Sequence, residues 1–120
     1  MNDRHATQIW AEVLSISISD AEHCGQYLDR DSIAVSHPFF QPGMDAIEWI
    51  FFSDLEDRSM GTFGFVCDLL DVDPLVVRRK LAARQSIQVA GKFYRHYVLG
   101  IVTKGVVNCR IRKQFARAAA

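Results

Sequence analysis

The chain has 120 residues, 49% of them hydrophobic, and its 14 acidic and 14 basic groups cancel to a formal net charge of zero. That length and composition fit one globular domain and exclude wholesale disorder. The longest largely apolar runs, residues 47–52 and 98–102, fall far short of the ~18–20 residues of a membrane span. The three cysteines, Cys24, Cys67 and Cys109, are an odd number at wide spacings and make no disulfide framework.

The opening Met-Asn-Asp-Arg-His lacks the basic-then-apolar layout of a secretory leader. A reduced, cytoplasmic setting without a membrane is therefore expected. Ile9, Val13 and Ile16 follow the i, i+4, i+7 spacing of an amphipathic helix. The spacing predicts a helix from about Thr7, a residue able to cap it, through residues 21–28. The run from Ser15 to Ser19 alternates polar and apolar, so a strand stays open there. Residues 29–46 hold Pro38, Pro42 and Gly43 and read as a turn-rich connection, pinned to the core by Phe39 and Phe40. A short helix is expected over residues 44–52, with Trp49, Phe51 and Phe52 in the core beside Trp10. An acidic break at residues 53–57 follows.

Two short helices, residues 62–70 and 74–84, flank Asp71-Val72-Asp73. Asp73 is a good N-cap, and Pro74 sits at the first helical position, where proline is tolerated. The offsets are those of a helix-turn-helix. Cys67 is the small residue at the helix crossing. Asp71, four later, stands where the turn needs a left-handed residue. Val77, six further on, packs back on the first helix, and Val66, Leu70, Val72 and Leu81 fill the remaining core positions. Arg78 and Arg79, with Arg84 beyond them, would then project away from the core and could fork onto guanine edges or hold phosphates.

Beyond Gln85 the residues turn β-branched and aromatic, punctuated by Gly91, Gly100 and Gly105. Thr103-Lys104-Gly105 predicts a hairpin between residues 98–102 and 106–111, with Lys104 at its tip. A helix over residues 92–102 stays open beside that reading. Phe93, Tyr94 and Tyr97 interleave with Lys92, Arg95 and His96. Such a mixture could stack single-stranded bases, but a half-buried face with basic outer positions is the simpler reading.

Charge is unevenly placed. Residues 1–60 carry eleven acids and three bases, a net of −8, and residues 61–120 carry three acids and eleven bases, a net of +8. No acid follows Asp73, whereas Arg78, Arg79, Lys80, Arg84, Lys92, Arg95, Lys104, Arg110, Arg112, Lys113 and Arg117 all do. A half with that balance attracts a polyanion, and nucleic acid is the commonest one. The same split allows the halves to attract each other, within a chain or between subunits.

Residues 46–54 (Ala-Ile-Glu-Trp-Ile-Phe-Phe-Ser-Asp), 63–74 and 77–81 resemble small bacterial and phage-associated proteins of helix-turn-helix type. The helix beginning Ile9-Trp10-Ala11 adds to the likeness, which covers about residues 8–84. The resemblance implies a helix-turn-helix fold and a regulatory role. Where such proteins often carry glycine at the turn, this chain has Asp71.

These readings combine into a mainly α fold with a small β element. Residues 1–85 are expected to form a helical domain containing the helix-turn-helix (62–84), followed by a basic C-terminal segment, residues 86–120, as a hairpin wing or dimerisation element. The expected function is DNA-binding transcriptional regulation, with double-stranded DNA and a second copy of the chain as partners. The expected nucleic-acid contacts are Arg78, Arg79, Lys80, Arg84, Lys92, Arg95, Lys104, Arg110, Arg112 and Lys113. The alternative is a non-enzymatic adaptor whose acidic N-terminal half docks a basic protein. No nucleotide-binding glycine loop, G-x-S-x-G or H-E-x-x-H supports an enzyme. No cofactor or metal is expected, because His23, Cys24 and the remote Cys109 lack paired ligand spacing.

Overall fold

The computed structural model describes residues 3–29 and 38–100, and among them it is helical, with no strand. Helix α1 spans Asp3–Asp29. Helix α2, Phe40–Ile47, runs on into a π-helical turn, Glu48–Phe52. Helices α3, Phe63–Leu69, and α4, Pro74–Ala82, follow. Helix α5, Gln85–Phe93, also ends in a π-helical turn, Tyr94–Val98. Helix α1 is the spine: α2 and α5 pack along it, and α3 touches it less extensively.

The buried face of α1 differs from the expected one. Ile9 and Ile16 are 43% and 54% exposed, while Ala21, Cys24 and Leu28 are buried and Leu14 and Ile18 pack on the same core. Small residues set this face because the neighbours come close. A Cβ on Gly25 would overlap the backbone carbonyl of Ser86 at the start of α5. A Cβ on Gly43 of α2 would lie 2.7 Å from the Cys24 Sγ. The segment from Ser15 to Ser19 is helical throughout.

One further expectation is corrected. The connection over residues 29–46 yields to helix at Phe40, so α2 contains Pro42. Proline is accommodated there because it is the third helical residue, where the N–H has no partner within the helix. Residues 85–98 are helical, in line with the helix left open over residues 92–102. Ile87, Ala90, Phe93 and Tyr94 recur at helical spacing and are buried, and that packing overrides their β-propensity. Ile87, Val89, Ala90, Phe93 and Tyr94 thereby join the core of the preceding helices. The hairpin around Lys104 lies outside the described residues.

The aromatic residues fix the ends of the bundle. Phe40 meets Phe93 edge-on at 5.5 Å between ring centroids, and Phe39 stacks on His23 at 5.3 Å. Trp10 meets Phe65 at 5.7 Å, and the Trp49 indole N–H donates to the Gly61 carbonyl at 2.9 Å. Phe93 and Tyr94 are buried and present no ring for stacking bases.

Candidate nucleic-acid interface

Local backbone chemistry sets the boundaries of α3 and α4. The Thr62 hydroxyl accepts from the Phe65 N–H at 3.1 Å and so caps α3. At the other end Asp71 takes φ +57°, and it alone among the described non-glycine residues has positive φ. The Val72 N–H donates to the Cys67 carbonyl at 2.9 Å and the Asp71 N–H to the Asp68 carbonyl at 3.1 Å. That pair of bonds is a Schellman cap, which satisfies carbonyls otherwise left over at a helix end. The Asp73 carboxylate then accepts from the Leu75 N–H at 2.9 Å, with Pro74 in the first turn of α4.

The faces of α4 divide sharply. Leu81 is buried and Val77 packs on the core that contains Cys67. Leu75, Arg79, Lys80, Ala82 and Ala83 are exposed. Val72, expected in the core, is exposed, because the left-handed residue before it turns the chain outward.

Arg78 requires a second correction. It does not project outward with Arg79. Its Nε donates to the Ile50 carbonyl at 2.6 Å and its Nη2 to the Ser53 carbonyl at 2.8 Å. Its guanidinium carbon lies 5.6 Å from the centroid of the Phe63 ring. These carbonyls end the π-helical turn after α2, where a cation satisfies unpaired acceptors and faces the negative end of the helix dipole. Burial lowers the pKa of the group from its ordinary value, and the nearby Cys67 opposes that shift.

The other expected contacts are distributed as follows. Arg79 and Lys80 are exposed in the last turn of α4. Arg84 is ion-paired to Glu22 of α1, which neutralises much of its charge. Lys92 and Arg95 are exposed one helical turn apart, and the Arg95 guanidinium sits 5.7 Å from the centroid of the Phe52 ring. Lys104, Arg110, Arg112 and Lys113 lie outside the described residues. Carboxylates cluster at the opposite end of α4: Asp68, Asp71 and Asp73 are exposed around the turn, and Asp68 pairs with Arg58 at 3.2 Å.

Lys92 and Arg95 also rim a groove of about 220 Å3 whose floor includes Phe51, Phe52 and Ile87. Phe51 and Phe52, expected in the core, pack partly buried against it, and Gln88 and Gly91 complete the lining without any chemical signature of their own. The signal was the spacing of Gly91, Lys92 and Arg95 on one helix, which the helix left open over residues 92–102 contains in part. Among the described residues no group of three or more histidines, cysteines or carboxylates is placed to hold a metal. No helix among them is long and apolar enough to cross a membrane. No protein-family model, curated protein or solved structure matches this chain.

Proposed function

We propose that the chain is a DNA-binding regulator in which α3, the turn at Asp71 and α4 act as a helix-turn-helix. The observation that carries this reading is the exposure of Arg79 and Lys80 on α4 while Val77 and Leu81 of the same helix face the core. The left-handed Asp71 and the two caps supply the turn that such a unit needs. The long run without a carboxylate after Asp73 supplies the phosphate attraction. Because Asp71 and Asp73 stand at the N-terminal end of α4, contact falls to its last turn and to α5. There Arg79, Lys80, Lys92 and Arg95 present cations to phosphate.

The test is fluorescence anisotropy of a labelled random duplex against the full chain as salt is raised. Affinity should fall by orders of magnitude between low and moderate salt. Arg79→Ala and Lys80→Ala should each reduce the salt slope by about one. No binding at low salt would overturn the reading.

A second reading, docking of a protein partner, is favoured by α1. Ile9, Glu12 and Ile16 lie along one exposed side of that helix, an i, i+3, i+7 pattern suited to a partner helix or a basic surface. Ile9→Asp with Ile16→Asp should then abolish partner capture or self-association, while leaving helicity unchanged.

A further inference from the structure

The groove beside α5 has a composition that phosphate attraction alone does not require. Phe51 and Phe52 come from the π-helical turn after α2, and Ala82 comes from the end of α4. Ile87, Gly91, Lys92 and Arg95 come from α5 and its continuation. Gln88 ties two walls together, its side-chain amide donating to the Ala82 carbonyl at 2.9 Å. The floor is apolar and the rim cationic. Arg95 is held in place over the Phe52 ring, as a guanidinium is attracted to an aromatic face. Among the described residues neither Lys92 nor Arg95 forms an ion pair, whereas Arg58 and Arg84 do. Both rim cations therefore lack a carboxylate.

Size narrows the occupant. A cavity of ~150 Å3 can hold a benzene ring, so about 220 Å3 suits one ring or a short chain rather than a helix. At Gly91 the lining faces open space: a Cβ built on it meets nothing within 4 Å. An occupant must bring an apolar body to Phe51, Phe52 and Ile87 and a negative charge to Lys92 and Arg95.

We propose that this groove is a binding site for a small apolar carboxylate, its ring or chain on the phenylalanine floor and its carboxylate between Lys92 and Arg95. The site does not rest on DNA binding, although Lys92 and Arg95 are shared with that reading. A carboxylate accepts the fork of an arginine and the point charge of a lysine together.

The experiment is a two-dimensional amide NMR titration of the full chain with sodium benzoate. Saturable shifts are expected at the amides of Phe52, Gln88, Gly91, Lys92 and Arg95 in the millimolar range. Benzyl alcohol keeps the ring without the charge, and inorganic phosphate keeps the charge without the ring. Each should bind at least about tenfold more weakly, as befits loss of a charge-assisted pair or of the apolar contact. Gly91→Leu should fill the groove and remove the benzoate shifts while helicity is retained. Lys92→Gln with Arg95→Gln gives a second variant that leaves the floor intact, and it should weaken benzoate about tenfold. The proposal is overturned by absent or scattered shifts, by phosphate or benzyl alcohol binding as tightly as benzoate, or by unchanged affinity in the two variants.

Discussion

Arg78 and Ile50 are joined across 28 residues of chain by a 2.6 Å hydrogen bond from the guanidinium Nε to the backbone carbonyl, and the same side chain reaches Ser53 at 2.8 Å. The second of two adjacent helices is thereby fastened to the end of the π-helical turn. Arg78→Ala should cost about 2–3 kcal/mol, the range for hydrogen bonds to a charged group whose partners are left unmet. Arg78→Lys should recover only part of that, because an ammonium cannot reproduce the fork. Urea unfolding of the variants measures both. Arg79→Ala, by contrast, should shift stability by less than about 0.5 kcal/mol, as surface changes generally do.

Asp71 holds φ +57°, a conformation that favours glycine. Asp71→Gly should stabilise the chain by about 0.5–1 kcal/mol. Asp71→Val should destabilise it by more than ~1 kcal/mol, since a branched Cβ clashes in the left-handed region. Thermal melts decide both. Asp71→Asn keeps a residue that tolerates the turn while removing a negative charge at the end of α4 away from the proposed DNA contact. It should leave the melt nearly unchanged and tighten duplex binding at low salt.

The parts legible in the sequence are those governed by neighbouring residues. Asp71 at the turn and Asp73 and Pro74 at the start of α4 all act within a few residues of themselves. The parts that were not legible depend on distant partners. Nothing near Arg78 announces the carbonyls of Ile50 and Ser53. The buried face of α1 is built around Ala21, Cys24 and Gly25, whose small side chains give a weak apolar signal, while Ile9 and Ile16 give a strong one from the exposed side. In α5, the β-branched and aromatic residues suggest strand, but Ile87, Ala90 and Phe93 are satisfied by packing at helical spacing. The groove depends on that helix, since Lys92 and Arg95 share a rim only if the segment is helical.

Gly25 and Gly91 make opposite predictions. Gly25 faces the backbone carbonyl of Ser86 with no room for a Cβ, and backbone cannot swing aside as a side-chain end can. Gly25→Ala should therefore destabilise by about 2–3 kcal/mol, as overpacking does. Gly91 has open space around its missing Cβ and lies within α5. Gly91→Ala should stabilise by about 0.5–1 kcal/mol through helix propensity and a less flexible unfolded chain. Melting temperatures should move in opposite directions, and a fall for both would refute the account of Gly91.

Cys24 links the core to alkaline stability. Burial pushes its thiol from 9.0 up to about 12, because the thiolate is disfavoured away from water. The folded state therefore holds its proton more tightly than the unfolded state. This contribution is fully present below pH 9.0 and is lost progressively as pH rises towards about 12. Cys67 and Tyr94 are raised chiefly by burial as well and act in the same direction. Cys24→Ala loses a buried sulfur at every pH but has no thiol to ionise. The gap between wild-type and variant stability, measured by urea unfolding, should therefore shrink or reverse as pH climbs above 9.0. A gap that stays constant would mean that the Cys24 thiol is as free to ionise in the folded chain as in the unfolded one.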